Sequence, residues 1–288
     1  HRDLHYPLRR QRQMCIRDSE WLATNLDDPK VVIVDASLPR VGVDEDTRAN
    51  YREAHIPSAP FFDIDVIADT NANLPHMMPT AEIFTDAVGK LGISNDKKVV
   101  VYDQHGIYSA PRAWWMFRAF GHDNVGVLDG GLPKWRSDGH LVESDTVVPS
   151  PAEFSANARP ELLRLVEQVN ANLSSSGEQV IDARGASRYN GTEPETRAGL
   201  RSGHIPGSLN VPYANIIQDG GMVDSPALRD AFAAGGDDLA KPITTSCGSG
   251  ITACILALGL YLEGRDDVAI YDGSWTEWGG REDLPIET

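Results

Sequence analysis

Short β-branched runs alternate along this chain with longer stretches in which apolar positions recur at helical spacing. "VVIVDAS", with its run ending at Asp35, "VVVYD" at Asp103 and "VGVLD" at Asp129 are Val-rich and too short for helices, so they read as strands. Between them "PTAEIFTDAVGKLG" reads as an amphipathic helix, and later "ARPELLRLVEQVNANL" does the same. Strands that alternate with helices imply a mainly parallel sheet covered by helices, an α/β fold.

The signals come twice in one order. "VVIVDAS" is matched by "QVIDARGAS" (Asp182), and "AHIPSAPFFDID" (His55) by "GHIPGSLNVPYANI" (His204). "VVVYDQHGIYSAPRAWWMFRAFG" is matched by "PITTSCGSGITACILALGLYLEG", and "VGVLDGGLPKW" by "VAIYDGSWTEW". Two copies of one α/β domain are therefore expected, over residues 20–145 and 161–288. The polar, Pro-containing stretch 146–160 reads as the linker.

Residues 1–19, "HRDLHYPLRRQRQMCIRDS", are basic and aperiodic, unlike everything after them. Back-translation of "RRQRQMCIRDS" and "HRDLH" can give parts of a transposon-based sequencing adaptor, with Tyr6, Pro7 and Leu8 where its variable index would sit. The segment is read as non-native and set aside from the fold, which would leave the first helix, ahead of "EWLATNLDD", truncated.

The chain carries 26 Lys and Arg against 42 Asp and Glu, a formal charge of −16; without the five Arg and two Asp of the first segment it would be −19. Such acidity argues against nucleic acid and anionic membranes as partners. No run approaches the ~20 apolar residues of a membrane span, and no apolar signal-peptide core is visible, so a cytoplasmic location is the expectation. An anionic substrate would need a local cationic pocket.

Of three cysteines, Cys15 falls in the set-aside segment. Cys247 and Cys254 lie about two helical turns apart, too far for a disulfide, and no C-x-x-C metal spacing occurs. Cys254, inside the apolar run "ITACILALGLYL", reads as packing. Cys247 is different. It stands between strand and helix, followed by Gly248, Ser249 and Gly250. There the free amides of a helix start converge, and glycines allow close approach, so a thiolate is favoured. An inert buried cysteine is the plain alternative. A cysteine phosphatase would want arginine six residues on, and position 253 is alanine.

On these motifs the chain resembles two-domain sulfurtransferases of the rhodanese superfamily. "FFDID", "LPHMMP", "SAPRAWWMFRAFG", "GTEPETR", "CGSGITA" and "YDGSWTEW" are similar to the 3-mercaptopyruvate branch. The resemblance implies two tandem rhodanese-like domains, the first catalytically silent because Asp103 takes the place of Cys247. It implies that Cys247 carries sulfur as a persulfide, that Arg188 and Arg197 bind the donor 3-mercaptopyruvate, and that Gly248, Gly250, Ile251 and Thr252 complete the substrate cradle. It casts Asp65, His76 and Ser249 as a proton relay, with ordinary interface hydrogen bonding as the alternative. The acceptor is a small thiol, a reduced thioredoxin-like protein or cyanide, and no metal or organic cofactor is called for.

Three readings stay open on the residues. Arg188 and Arg197 could be surface arginines bridged to Glu193 and Glu195. The donor could be thiosulfate, although relatives specific for it carry basic residues after the cysteine and Gly248 and Ser249 are neutral. The protein could also be a non-catalytic persulfide carrier. His55 and His204 occur in both halves, including the silent one, and read as structural.

Overall fold

The computed structural model describes residues 15–236, 238 and 240–288, and they form two compact units. The first holds the described residues up to Thr70, Met78–Arg159 and Asp219–Met222. The second holds Asn71–Met77, Pro160–Gln218 and Val223–Thr288.

In the first unit β1 (Ile16–Arg17), β2 (Val31–Asp35), β3 (Lys98–Tyr102) and β4 (Val125–Leu128) make one parallel sheet in the order β1-β4-β3-β2. Helices α1 (Ser19–Thr24), α2 (Thr47–Glu53), α3 (Ala81–Lys90), α4 (Ala110–Ala119) and α5 (Gly131–Ser137) belong to this unit. Asp18, Asp46 and Thr80 cap the first three by accepting from Trp21, Ala49 and Ile83 amides. All ten residues of α4 are buried, which its nearly unbroken apolar sequence demands.

The second unit repeats the plan with β5 (Leu163–Arg164), β6 (Gln179–Asp182), β7 (Leu209–Asn210), β8 (Ile243–Ser246) and β9 (Ala269–Tyr271), all parallel in the order β5-β9-β8-β6-β7. Its helices are α6 (Val166–Ser175), α7 (Ala186–Tyr189), α8 (Ser225–Ala234), α9 (Ala253–Leu262) and α10 (Ser274–Trp278).

The repeat extends to individual contacts. Trp135 Nε1 donates to Leu141 O at 2.7 Å, and Trp278 Nε1 donates to Pro285 O at 2.8 Å. His55 and His204 each form an isolated antiparallel bridge, to Glu143 and Glu287. Each ring stacks on a tyrosine, Tyr51 or Tyr189, and places Nδ1 2.8 Å from that tyrosine's carbonyl. Identical roles in both units mark these histidines as structural.

Three boundaries differ from the sequence expectation. The predicted helix "ARPELLRLVEQVNANL" is broken, because Leu163 and Arg164 pair with Ile270 and Tyr271 as an edge strand before α6 begins. Sheet pairing there overrides helical periodicity. Residues 146–159 group with the first unit and are not a free linker: Phe154 packs on Phe84 and Phe117, and Asn157 and Arg159 donate to Phe120 and Ala119 carbonyls at 2.9 and 2.7 Å. Finally, Ile16 and Arg17 complete the first sheet as Leu163 and Arg164 complete the second. The set-aside segment therefore enters the fold at its end, while residues 1–14 lie outside the described residues. Its coding origin is a separate matter, since any short extended segment can satisfy a parallel edge.

Asp35 and Asp182 end matching strands with different partners. Asp182 is neutralised by Arg184, whereas Asp35 accepts from Ser37 and Gln104, and burial pushes its carboxyl up to about 6. The folded chain thus holds this proton more tightly than the unfolded one, whose carboxyl titrates near ~3.9. Stability from this group is complete below that pH and falls by about 3 kcal/mol as pH rises through about 6. Urea unfolding of wild type and Asp35→Asn at pH 4 and pH 7 is expected to show the wild type losing stability relative to the variant across that interval.

Candidate active site

Strand β8 ends at Ser246 and α9 begins at Ala253, so residues 247–252 form the turn expected at a helix N-terminus. Thr245 Oγ1 donates to Ala253 O at 3.0 Å and fastens the helix start to the strand. Cys247 is 1% exposed at the base of the turn. Its amide donates to Ser274 Oγ at 3.1 Å, and its carbonyl accepts from Trp275 N at 3.0 Å. Gly248 O accepts from Thr276 N at 2.8 Å and from Thr276 Oγ1 at 2.6 Å. The outward-facing carbonyls of the loop are thus taken up by α10.

The amides are left for something else. Those of Gly248, Ser249, Ile251 and Thr252 donate to no protein acceptor among the described residues, although Ser249 and Ile251 are nearly buried. Gly250 holds a φ of +78°, a conformation that turns the loop and that a side chain would strain. Thr252 is the N-cap without a side-chain cap bond, and Cys254 Sγ lies 3.2 Å from Gly250 O as a buried packing residue.

The first unit shows what such a ring of donors accepts. Asp103, at the position of Cys247, is fully buried, and its carboxylate takes the amides of His105, Tyr108, Ser109 and Ala110 at 2.8 to 2.9 Å. Burial pushes this carboxyl up and the backbone donors pull against that shift. The loop of the first unit carries its own carboxyl group.

The two arginines named from the sequence come to the cysteine loop. A methyl group placed on Gly248 would lie 3.5 Å from Arg188 Nη2 and 3.8 Å from Arg197 Nη1, ordinary contact distances, so both guanidinium groups flank the turn. Arg197 also reaches Ser249 Oγ at 3.4 Å and Thr276 Oγ1 at 3.5 Å, both neutral. Arg188 is paired through Nε and Nη2 to Glu195 Oε2. Glu195 is not the surface carboxylate that the alternative supposed: its side chain is 1% exposed, and its other oxygen accepts from Arg184 Nη1 at 2.6 Å. Glu193 instead accepts from Ser187 Oγ at 2.6 Å.

Arg184 was not singled out from sequence. It grips Asp182, donates to Gly203 O at 2.9 Å and stacks 4.3 Å over Trp275. Burial works against its charge, but Asp182 and Glu195 outweigh that and hold its pKa above the usual value. The available signal was an asymmetry of the repeat, "DAS" against "DAR". Ser274 and Thr276 were equally missed; "YDGSWTEW" announced their segment but not their contacts.

The relay residues are distributed over both units. Ser249 sits in the loop beside Arg197. His76, with a left-handed φ of +61°, lies in the 71–77 segment of the second unit, whereas Asp65 is an exposed residue of the first. The three are not assembled within one unit. Among the described residues no group of three or more His, Cys, Asp or Glu is placed to hold a metal ion, and no helix is long and apolar enough to cross a membrane.

Comparison with known proteins agrees with this geometry. A rhodanese-like domain is matched at residues 18–138 and again at 165–281. The chain is 44% identical to human 3-mercaptopyruvate sulfurtransferase, over 92% of this chain and 93% of that one. It is 46% identical to rat thiosulfate sulfurtransferase, over 94% and 93%. It is also similar to the crystal structure of the 3-mercaptopyruvate sulfotransferase SseA from Escherichia coli, with a TM-score of 0.84 and 40% identity, covering 90% of this chain and 98% of that one.

Ser274 carries the one side-chain bond to the Cys247 amide and itself holds a φ of +49°. Ser274→Ala leaves that buried amide unmatched, and urea unfolding should register a loss of about 1–3 kcal/mol.

Proposed function

The chain belongs to the rhodanese-like family as a two-domain sulfurtransferase, and from that premise we propose that it takes sulfur from 3-mercaptopyruvate onto Cys247 and passes it to a thiol. The observation that carries this reading is the convergence of Arg188 and Arg197 on Gly248, beside a ring of unmatched amides. Two guanidinium groups suit a small keto acid, one gripping its carboxylate and the other polarising its carbonyl.

The thiolate of Cys247 attacks the donor's sulfur, the carbon–sulfur bond breaks, and the electron pair leaves with carbon as pyruvate enolate. Cys247 then bears a persulfide, whose terminal sulfur the loop amides stabilise as an anion. The enolate takes up a proton to become pyruvate; Ser249, His76 and Asp65 are proposed for that delivery on the family resemblance. An acceptor thiolate attacks the outer sulfur, carries it off and returns Cys247 as thiolate. A reduced thioredoxin-like protein is one such acceptor.

Thiosulfate is the second donor reading, favoured by the similarity to the rat enzyme. Against it stand the neutral Gly248 and Ser249, which bring no charge to a compact dianion. A carrier without catalysis would have no use for two arginines at the loop.

Mass spectrometry after mixing with 3-mercaptopyruvate should show a gain of about 32 Da on Cys247, absent in Cys247→Ser. Arg197→Ala should lower kcat/KM for this donor by about 10- to 100-fold, the worth of a charge-assisted hydrogen bond. A large preference for thiosulfate in side-by-side turnover would overturn the donor assignment.

A further inference from the structure

Glu195 is the one carboxylate that touches both the locked arginine and the arginine at the cysteine loop. Asp182, Arg184, Glu195 and Arg188 form a chain of alternating charge, and the side chains of its first three members are 2%, 1% and 1% exposed. Arg184 is immobile, held by Asp182, Gly203 O and the Trp275 ring. Arg188 is not held by its own backbone in any comparable way, since α7 is a single turn and the following residues to 203 carry no helix or strand. What fixes its guanidinium is Glu195 Oε2, which takes Nε and Nη2 and leaves Nη1 without a protein acceptor among the described residues.

The charges divide unevenly as a result. Arg184 and Arg188 are matched by Asp182 and Glu195, whereas Arg197 meets only the hydroxyls of Ser249 and Thr276. The uncompensated positive charge beside the loop therefore belongs to Arg197.

We propose that Glu195 is a positioning residue that divides the work of the two arginines: it neutralises and aims Arg188 as a directional donor to the substrate's carbonyl oxygen, and leaves Arg197 to bind the carboxylate. This rests on the keto-acid reading above. A neutralised but oriented donor gains strength as charge develops on the carbonyl oxygen during enolate formation, so its contribution falls mainly on the transition state. A structural carboxylate needed only to match Arg184 would have no reason to reach Arg188, because Asp182 already meets that guanidinium through Nε and Nη2.

The test is a double-mutant cycle in the full chain. Glu195→Gln is expected to lower kcat/KM for 3-mercaptopyruvate by about 10- to 100-fold, more through kcat than KM, as misaiming a positioned group does. In an Arg188→Ala background the same substitution should change it by less than about 2-fold, because the partner it acts through is gone. Glu195→Asp, which keeps the charge but is one methylene too short to span both arginines, should resemble Glu195→Gln. Calorimetric binding of pyruvate, which requires no turnover, should be weakened by Glu195→Gln only where Arg188 is present. An equal fall in both backgrounds, no fall in the wild type, or failure of both Glu195 variants to fold would overturn the positioning role. A wild type that binds pyruvate with this dependence yet takes no sulfur from 3-mercaptopyruvate would refute the donor reading and leave the role of Glu195 standing. A wild type that does neither overturns both.

Discussion

A buried helix that starts immediately after a strand presents main-chain N–H groups that water cannot reach, and the loop has to be completed by a negative charge. This chain meets the requirement twice in different ways. In the first unit Asp103 places a carboxylate under four amides, satisfying the helix start. In the second, Cys247 occupies that position, the amides of Gly248, Ser249, Ile251 and Thr252 have no protein acceptor among the described residues, and an anionic sulfur is a species they can hold.

The contacts around the second loop hold its backbone in place. Helix α10 takes the carbonyls of Cys247 and Gly248, Ser274 takes the Cys247 amide, and β8 is fastened to α9 by Thr245. Gly250 supplies the turn, and two guanidinium groups lie beside Gly248. Positive charge is thereby concentrated in a protein with a formal charge of −16. Buried carboxylates at 182 and 195 make that affordable by compensating Arg184 and Arg188, so that a single net charge faces the substrate space.

The duplicated architecture explains which similarities between the halves are functional. Paired histidines and tryptophans make the same contacts in both units, which marks them as structural. Differences carry more information: Asp103 against Cys247, Ser37 against Arg184, and the approach of Arg188 and Arg197 to the cysteine loop in the second unit.

The alternation of strands and helices, the duplication and the place of Cys247 between strand and helix were legible in the sequence, because periodicity, glycine placement and self-comparison need no tertiary contacts; the two arginines were singled out only through the family resemblance. The edge strand at Leu163, the docking of residues 146–159 on the first unit and the entry of Ile16 into its sheet were not legible, since each depends on a partner more than 30 residues away. Glu195 shows the difference most sharply. In the sequence it was a charged residue in a polar loop, a plausible surface partner; only folding around Arg184 buries it and makes it the bridge to Arg188. Residue type fixes what a side chain can do, and the desolvation that decides whether it does so is set by contacts that only the tertiary structure supplies.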